Sequence, residues 1–73
     1  MTTKTKPGRD IVVGDSLIFL GRAHRVTRIV PYVGNLVDDG TLPPDTRIAY
    51  EDVPGVEKPW GMTIPPNDQM QTL

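Results

Sequence analysis

Proline and glycine divide this chain so often that no segment of 11 or more residues holds a helical apolar stripe free of both. An isolated helix needs an uninterrupted stripe of about that length. A helical bundle is therefore disfavoured, and short strands joined by turns are expected. Eight Pro and seven Gly stand among 73 residues, well above the usual combined share of about 12%. That length holds one small domain and no second core. Burial in so small a core barely offsets the conformational entropy lost on folding, so self-association is expected. The chain has no Cys, which removes disulfides, zinc knuckles, iron–sulfur sites and thiol nucleophiles. Neither a membrane-length apolar run nor a secretory signal is visible. With no Cys, this reads as a cytoplasmic protein.

Residues 1–9 read MTTKTKPGR, polar and basic without apolar periodicity, and are expected to form a flexible arm. Residues 10–65 hold the apolar text and residues 66–73 a polar tail. Gly14-Asp15 is a turn signal ahead of the run Ser16-Leu17-Ile18-Phe19-Leu20. Gly21-Arg22 follows, with Gly first as a type II′ hairpin turn requires. The run from His24 to Val30 slips out of alternation: Val26 and Ile29 would face opposite sides of a regular strand. A bulge near Thr27-Arg28 brings both inward. In the long connection from Val33 to Asp45, Asp39-Gly40 closes a tight turn between Leu36-Val37 and Thr41-Leu42. Arg47 to Tyr50 and Trp60 to Ile64 alternate as strands, and Pro65-Pro66 ends the second. One helical turn fits at Pro43 to Arg47 or at Pro66 to Met70. The expectation is an all-β fold of five short strands, forming a small closed or half-open barrel that hides most of its edges.

The stretch DIVVGDSLIFLGRAHRVTRI, residues 10–29, resembles the opening hairpin of SH3-like small barrels of the KOW type, found in translation and transcription factors. The resemblance implies a strongly bent five-stranded barrel with flexible termini and no particular activity. The chain as a whole, through HRVTRI and WGMT, is similar to short uncharacterised proteins of actinobacterial phages. That resemblance implies a viral protein working in the host cytoplasm.

Catalysis finds little material. His24 is the one histidine and Ser16 the one serine. Both fall in the first hairpin, where facing positions could bring them together, yet nothing around Ser16 resembles a nucleophile elbow. Asp38-Asp39 and Glu51-Asp52 are adjacent carboxylates in turn-like text, where Asp commonly bonds its own backbone. A calcium loop counted from Gly40 fails, because Val37 takes a ligand position and Thr46 stands where the closing Glu belongs. No phosphate-binding or dinucleotide fingerprint is present. No cofactor, metal, catalytic residue or small-molecule substrate is therefore expected.

Two features point to binding. Residues 1–28 carry six basic side chains against two acids, a sum of +4, while residues 29–73 sum to −5. Arg22, Arg25 and Arg28 on the hairpin, with Lys4 and Lys6 on the arm, could contact nucleic-acid phosphates. Four aromatic residues leave few to spare for base stacking once a core is built. Second, Leu17-Ile18-Phe19-Leu20 is apolar on both faces, so one face must be covered by the rest of the chain or by another chain. Trp60 either anchors that surface or closes the barrel bottom. The expected function is a non-catalytic protein-interaction module, self-associating or binding a host protein. Its patch is Leu17, Phe19 and Trp60, rimmed by Arg22 and Arg25. The alternative is a nucleic-acid module using Arg22, Arg25, Arg28, Lys4 and Lys6.

Overall fold

The computed structural model describes residues 3–73, so the first two residues of the expected arm lie outside the described residues. The fold is all-β. Its strands are β1 (Lys4–Pro7), β2 (Ser16–Phe19), β3 (Arg22–Arg25), β4 (Arg28–Pro31), β5 (Arg47–Glu51), β6 (Trp60–Ile64) and β7 (Gln69–Thr72). They form two antiparallel sheets, one ordered β1-β7-β2-β3 and the other β4-β5-β6. The expected five-stranded barrel is thus corrected to two sheets that do not close, with seven strands among the described residues.

Both chain ends depart from expectation. Lys4–Pro7 and Gln69–Thr72 are not a mobile arm and tail but neighbouring strands, in register from Lys4↔Thr72 to Pro7↔Gln69. Backbone ladder bonds are made by any non-proline residue, so a polar KTKP can pair without apolar periodicity to announce it. The inward residues of β7, Met70 and Thr72, are buried and give this pair its hold on the core.

The slip in the third run has a different cause from the bulge expected. The chain breaks at Val26-Thr27 and changes sheets, with β3 on one side of the break and β4 on the other. The change of sheet achieves what a bulge would: Val26 is buried and Ile29 packs against the same core. Thr27 N–H donates to Tyr50 O at 2.8 Å and pins the crossing point.

The core is Ile11, Leu17, Val26, Ala49, Ile64 and Met70, with Ile29, Trp60 and Met62 packed against it. The 3-10 turn Gly8–Asp10 and the bend after it deliver Ile11 from β1 to this core. Gly8 is buried, and a Cβ there would lie 2.0 Å from Pro65 O, so only glycine allows this approach of two backbones. Arg47 fastens the same corner by donating to Gly8 O at 2.6 Å and Ile11 O at 3.0 Å.

The helical turn is α1 (Asn35–Asp38), in the segment expected to hold a tight hairpin. Gly40, at φ 82°, ends it in the left-handed region, and Asp39 Oδ1 accepts the Thr41 N–H at 2.9 Å. Asp39-Gly40 is a stop, as its residue types indicate, but of a helical turn.

Candidate functional site

The first hairpin is built as its sequence requires at its base and differently at its tip. At the base, Asp15 Oδ2 accepts the Val12 N–H at 2.9 Å and lies 2.7 Å from Lys6 Nζ. Burial opposes the charge on Asp15, but the bonds from Lys6 and the Val12 N–H outweigh it and hold the carboxyl below the usual aspartate range. At the tip, Phe19 pairs with Arg22, which leaves Leu20-Gly21 as the two-residue loop in place of Gly21-Arg22. Both loop residues have positive φ, 50° at Leu20 and 77° at Gly21. That sign pattern belongs to type I′ turns, whose preferred occupants are Asn-Gly and Asp-Gly. A Leu in this conformation is strained by about 1–2 kcal/mol.

The register also resolves the run that looked apolar on both faces. Leu17 and Phe19 share a face, with His24 and Arg22 directly across from them. Leu17 is 1% exposed and belongs to the core, so it drops out of the expected surface patch. Phe19, two pairs further toward the turn, is 41% exposed. Leu20 is outside the strand, in the turn, and 87% exposed. Arg25 lies on the opposite face of β3 and pairs with Ser16. Ser16 therefore never faces His24; Leu17 does.

Trp60 is half-buried, with one side on the core and the other on the hairpin. Its ring stacks on His24 at 4.0 Å between centroids and 6° between planes. Phe19 meets it at 6.1 Å in a tilted arrangement, a favoured geometry for two aromatic rings. Glu51, opposite Trp60 in the β5–β6 register, locks this stack. One carboxylate oxygen accepts His24 Nδ1–H and the other the Arg25 N–H, each at 3.0 Å. The His24 bond, then the Arg25 N–H, hold Glu51 below the ordinary glutamate range. Glu51 thereby ties the edge of the first sheet to the end of the second. By residue type Glu51 reads as part of turn-like text; its place one residue past the Arg47–Tyr50 alternation is the signal that it ends a strand.

The exposed surface that results is Phe19, Leu20 and the accessible part of the half-buried Trp60, with Arg22 directly across from Phe19. Among the described residues, neither Arg22 nor Arg25 has an ion-pair partner. The other cations of the alternative nucleic-acid set are placed differently. Arg28 is engaged by Asp52 through Nε and Nη2, both at 3.2 Å, and lies 4.2 Å over the Tyr50 ring. Lys6 is paired with Asp15, and Lys4 stands on β1. β1 and β3 are opposite edges of a four-stranded sheet, about 14 Å apart at the usual strand spacing. The five cations do not form one stripe.

Among the described residues, no three His, Cys, Asp or Glu side chains gather to hold a metal ion. No helix among them is long and apolar enough to cross a membrane. No protein-family model, curated protein or solved structure matches the chain.

Proposed function

We propose that this protein is a non-catalytic protein-binding module that docks by the tip of its first hairpin. The observation that carries this is Leu20, 87% exposed and held at φ 50° beside an exposed Phe19. A solvated turn in that geometry favours Asn or Gly. An apolar side chain there costs stability and gains nothing within the chain, so its use lies outside the chain. Phe19 and Trp60 supply a wider apolar base, and aromatic residues are favoured at interface centres. Arg22 at the rim selects a partner whose pocket is bordered by carboxylates and speeds encounter with it.

The SH3-like and KOW resemblance enters as a proposal about this hairpin alone: it is the segment that carries the resemblance and the segment we assign to binding. If the phage resemblance holds, the partner is a host protein. The test uses matched baits. Wild-type chain and Leu20→Asn are immobilised and the captured proteins identified by mass spectrometry. A partner retained by wild type and by Arg25→Ala, but lost with Leu20→Asn and weakened by Arg22→Glu, supports the reading. Equal capture by all four, or a mass doubled in solution by light scattering and restored to monomer by Leu20→Asn, replaces it with non-specific capture or self-association.

A further inference from the structure

The fold has four sheet edges, and three of them are guarded. β1 carries Lys4, Lys6 and Pro7; β3 carries Arg22 and Arg25; β4 carries Arg28 and Pro31. Charged side chains and proline are the usual means of blunting an edge against pairing with another chain. The fourth edge is β6, Trp-Gly-Met-Thr-Ile, with neither a charge nor a proline inside it. β6 pairs only with β5, and among the described residues no further backbone or side-chain hydrogen bond reaches Trp60–Ile64. Its outward N–H and C=O groups have no partner from Trp60 to Thr63, while Ile64 is buried under the Gly8 corner.

This open edge borders a groove. β2 and β7 are in register only at Leu17↔Thr72, and they part beyond it. The gap forms a groove of about 710 Å³. Successive residues of three strands line it: Leu17 and Ile18, Met62 and Thr63, and Gln69 to Gln71. Successive residues of a strand point to opposite faces, so the groove runs along strand edges and not over a sheet face.

We infer that this groove accepts a single extended segment of a partner polypeptide, paired as a strand on the free edge of β6. β7 and β2 line its other side, so one added strand on β6 would lie between β6 and those two strands. A segment of about four residues would pair along Trp60–Thr63. The side-chain pattern follows from the lining. Apolar residues at alternate positions would meet Ile18, Leu42, Met62 and Met70, and polar ones would meet Thr63 and Gln71. Asp68 stands at the groove without a cationic partner among the described residues. It selects a Lys or Arg at one end of the segment. The site does not depend on the hairpin tip.

The probe is a displayed random octapeptide library, selected on the immobilised full chain. The expected products alternate apolar and polar residues, lack Pro and carry one basic end. On isotope-labelled protein they should shift the amides of Trp60–Ile64 and Gln69–Gln71. N-methylation of alternate peptide nitrogens should weaken binding about tenfold per position, since each removes one ladder hydrogen bond and adds a clash. Thr63→Lys, a change at an exposed position that gives β6 the guard its sister edges have, should weaken it by a similar factor. Because the N-methyl series acts on the peptide, it tests the pairing even if the variant unfolds. Three results would overturn the inference: no enrichment, amide shifts confined to the hairpin tip, or a dimer in the free protein whose β6 amides are already protected.

Discussion

The strain at Leu20 makes a prediction opposite in sign to the usual effect of replacing a large apolar residue with a polar one. Leu20→Asn should stabilise the fold. Fully burying a Leu contributes about 1.5–3 kcal/mol. With 87% of its surface exposed, Leu20 forfeits only about 0.2–0.4 kcal/mol of that on replacement. Against this stands relief of about 1–2 kcal/mol, the penalty a branched apolar L-residue carries at positive φ and Asn largely avoids. The net gain is about 1 kcal/mol, a rise of about 4–8 °C in Tm for a domain of this size. Thermal unfolding followed by near-UV circular dichroism reads it, and a urea titration with unchanged m-value confirms that compactness is unaltered. Leu20→Ala is the control, because it discards the packing while keeping a Cβ at positive φ, and its Tm should stay level or fall slightly. If Leu20→Asn melts lower than wild type, Leu20 is not strained, and the inference that its side chain serves a partner loses its footing.

Four further outcomes follow from the same geometry. Gly8→Ala should destabilise by about 2–3 kcal/mol in urea melts, since the added methyl meets the Pro65 carbonyl and neither backbone can retreat. Leu17→Glu should abolish the near-UV signal by burying a charge, whereas Phe19→Glu should stay folded and lose only the partner. The depressed carboxyls of Asp15, Glu51 and Asp52 give stability that is complete above the unfolded aspartate and glutamate range, about pH 4. That stability drains as pH falls through the lower folded values, so an acid titration at fixed temperature should show Tm declining from about pH 4 downward. Glu51→Gln should lower Tm and raise the hydrogen-exchange rate of the Arg25 amide, because a neutral amide accepts that bond more weakly than a carboxylate.

The middle of the chain was legible because its signals are local. Alternation marked β5 and β6, Gly14-Asp15 marked the base of the hairpin, and the absence of a helical stripe marked the class. Most of what the sequence leaves unread involves partners distant in the chain. Nothing in KTKP or QMQT states that each will pair with the other, since backbone ladders are indifferent to composition and Met70 and Thr72 alone show the alternation. The break at Val26-Thr27 and a bulge leave the same trace in the sequence, two inward residues at odd spacing. They differ only in whether the chain then rejoins its own sheet. The hairpin tip was misassigned by one residue because Gly21 suits either turn type, and a Leu at positive φ is the less expected choice. His24 was legible as a lone histidine but not as the partner of Glu51, 27 positions away. Of the expected patch, Phe19, Trp60 and Arg22 come together, while Leu17 is drawn into the core and Arg25 turns to the other face.

The failure of the barrel to close and the binding features we assign share one physical origin. A β6–β7 hairpin would have extended the second sheet and covered the open edge. Pro65-Pro66, directly after β6, opposes its continuation into such a ladder. Two successive residues without an N–H cannot continue a ladder. The chain instead runs through Asn67 and Asp68 to the far sheet, where Asp68 O accepts the Gly8 N–H at 2.8 Å and β7 pairs with β1. β1 thus gains the neighbour that β6 loses. With β6 bare, Trp60 at its head packs on the core and on His24 but stays half-buried, beside the exposed Phe19. Replacing Pro65-Pro66 by a pair able to ladder, such as Asn-Gly, should favour closure at the expense of β1 pairing. In that variant the amides of Lys4–Pro7 should exchange faster while those of Trp60–Ile64 gain protection. Unchanged exchange at both strands would show that the prolines do not set the topology.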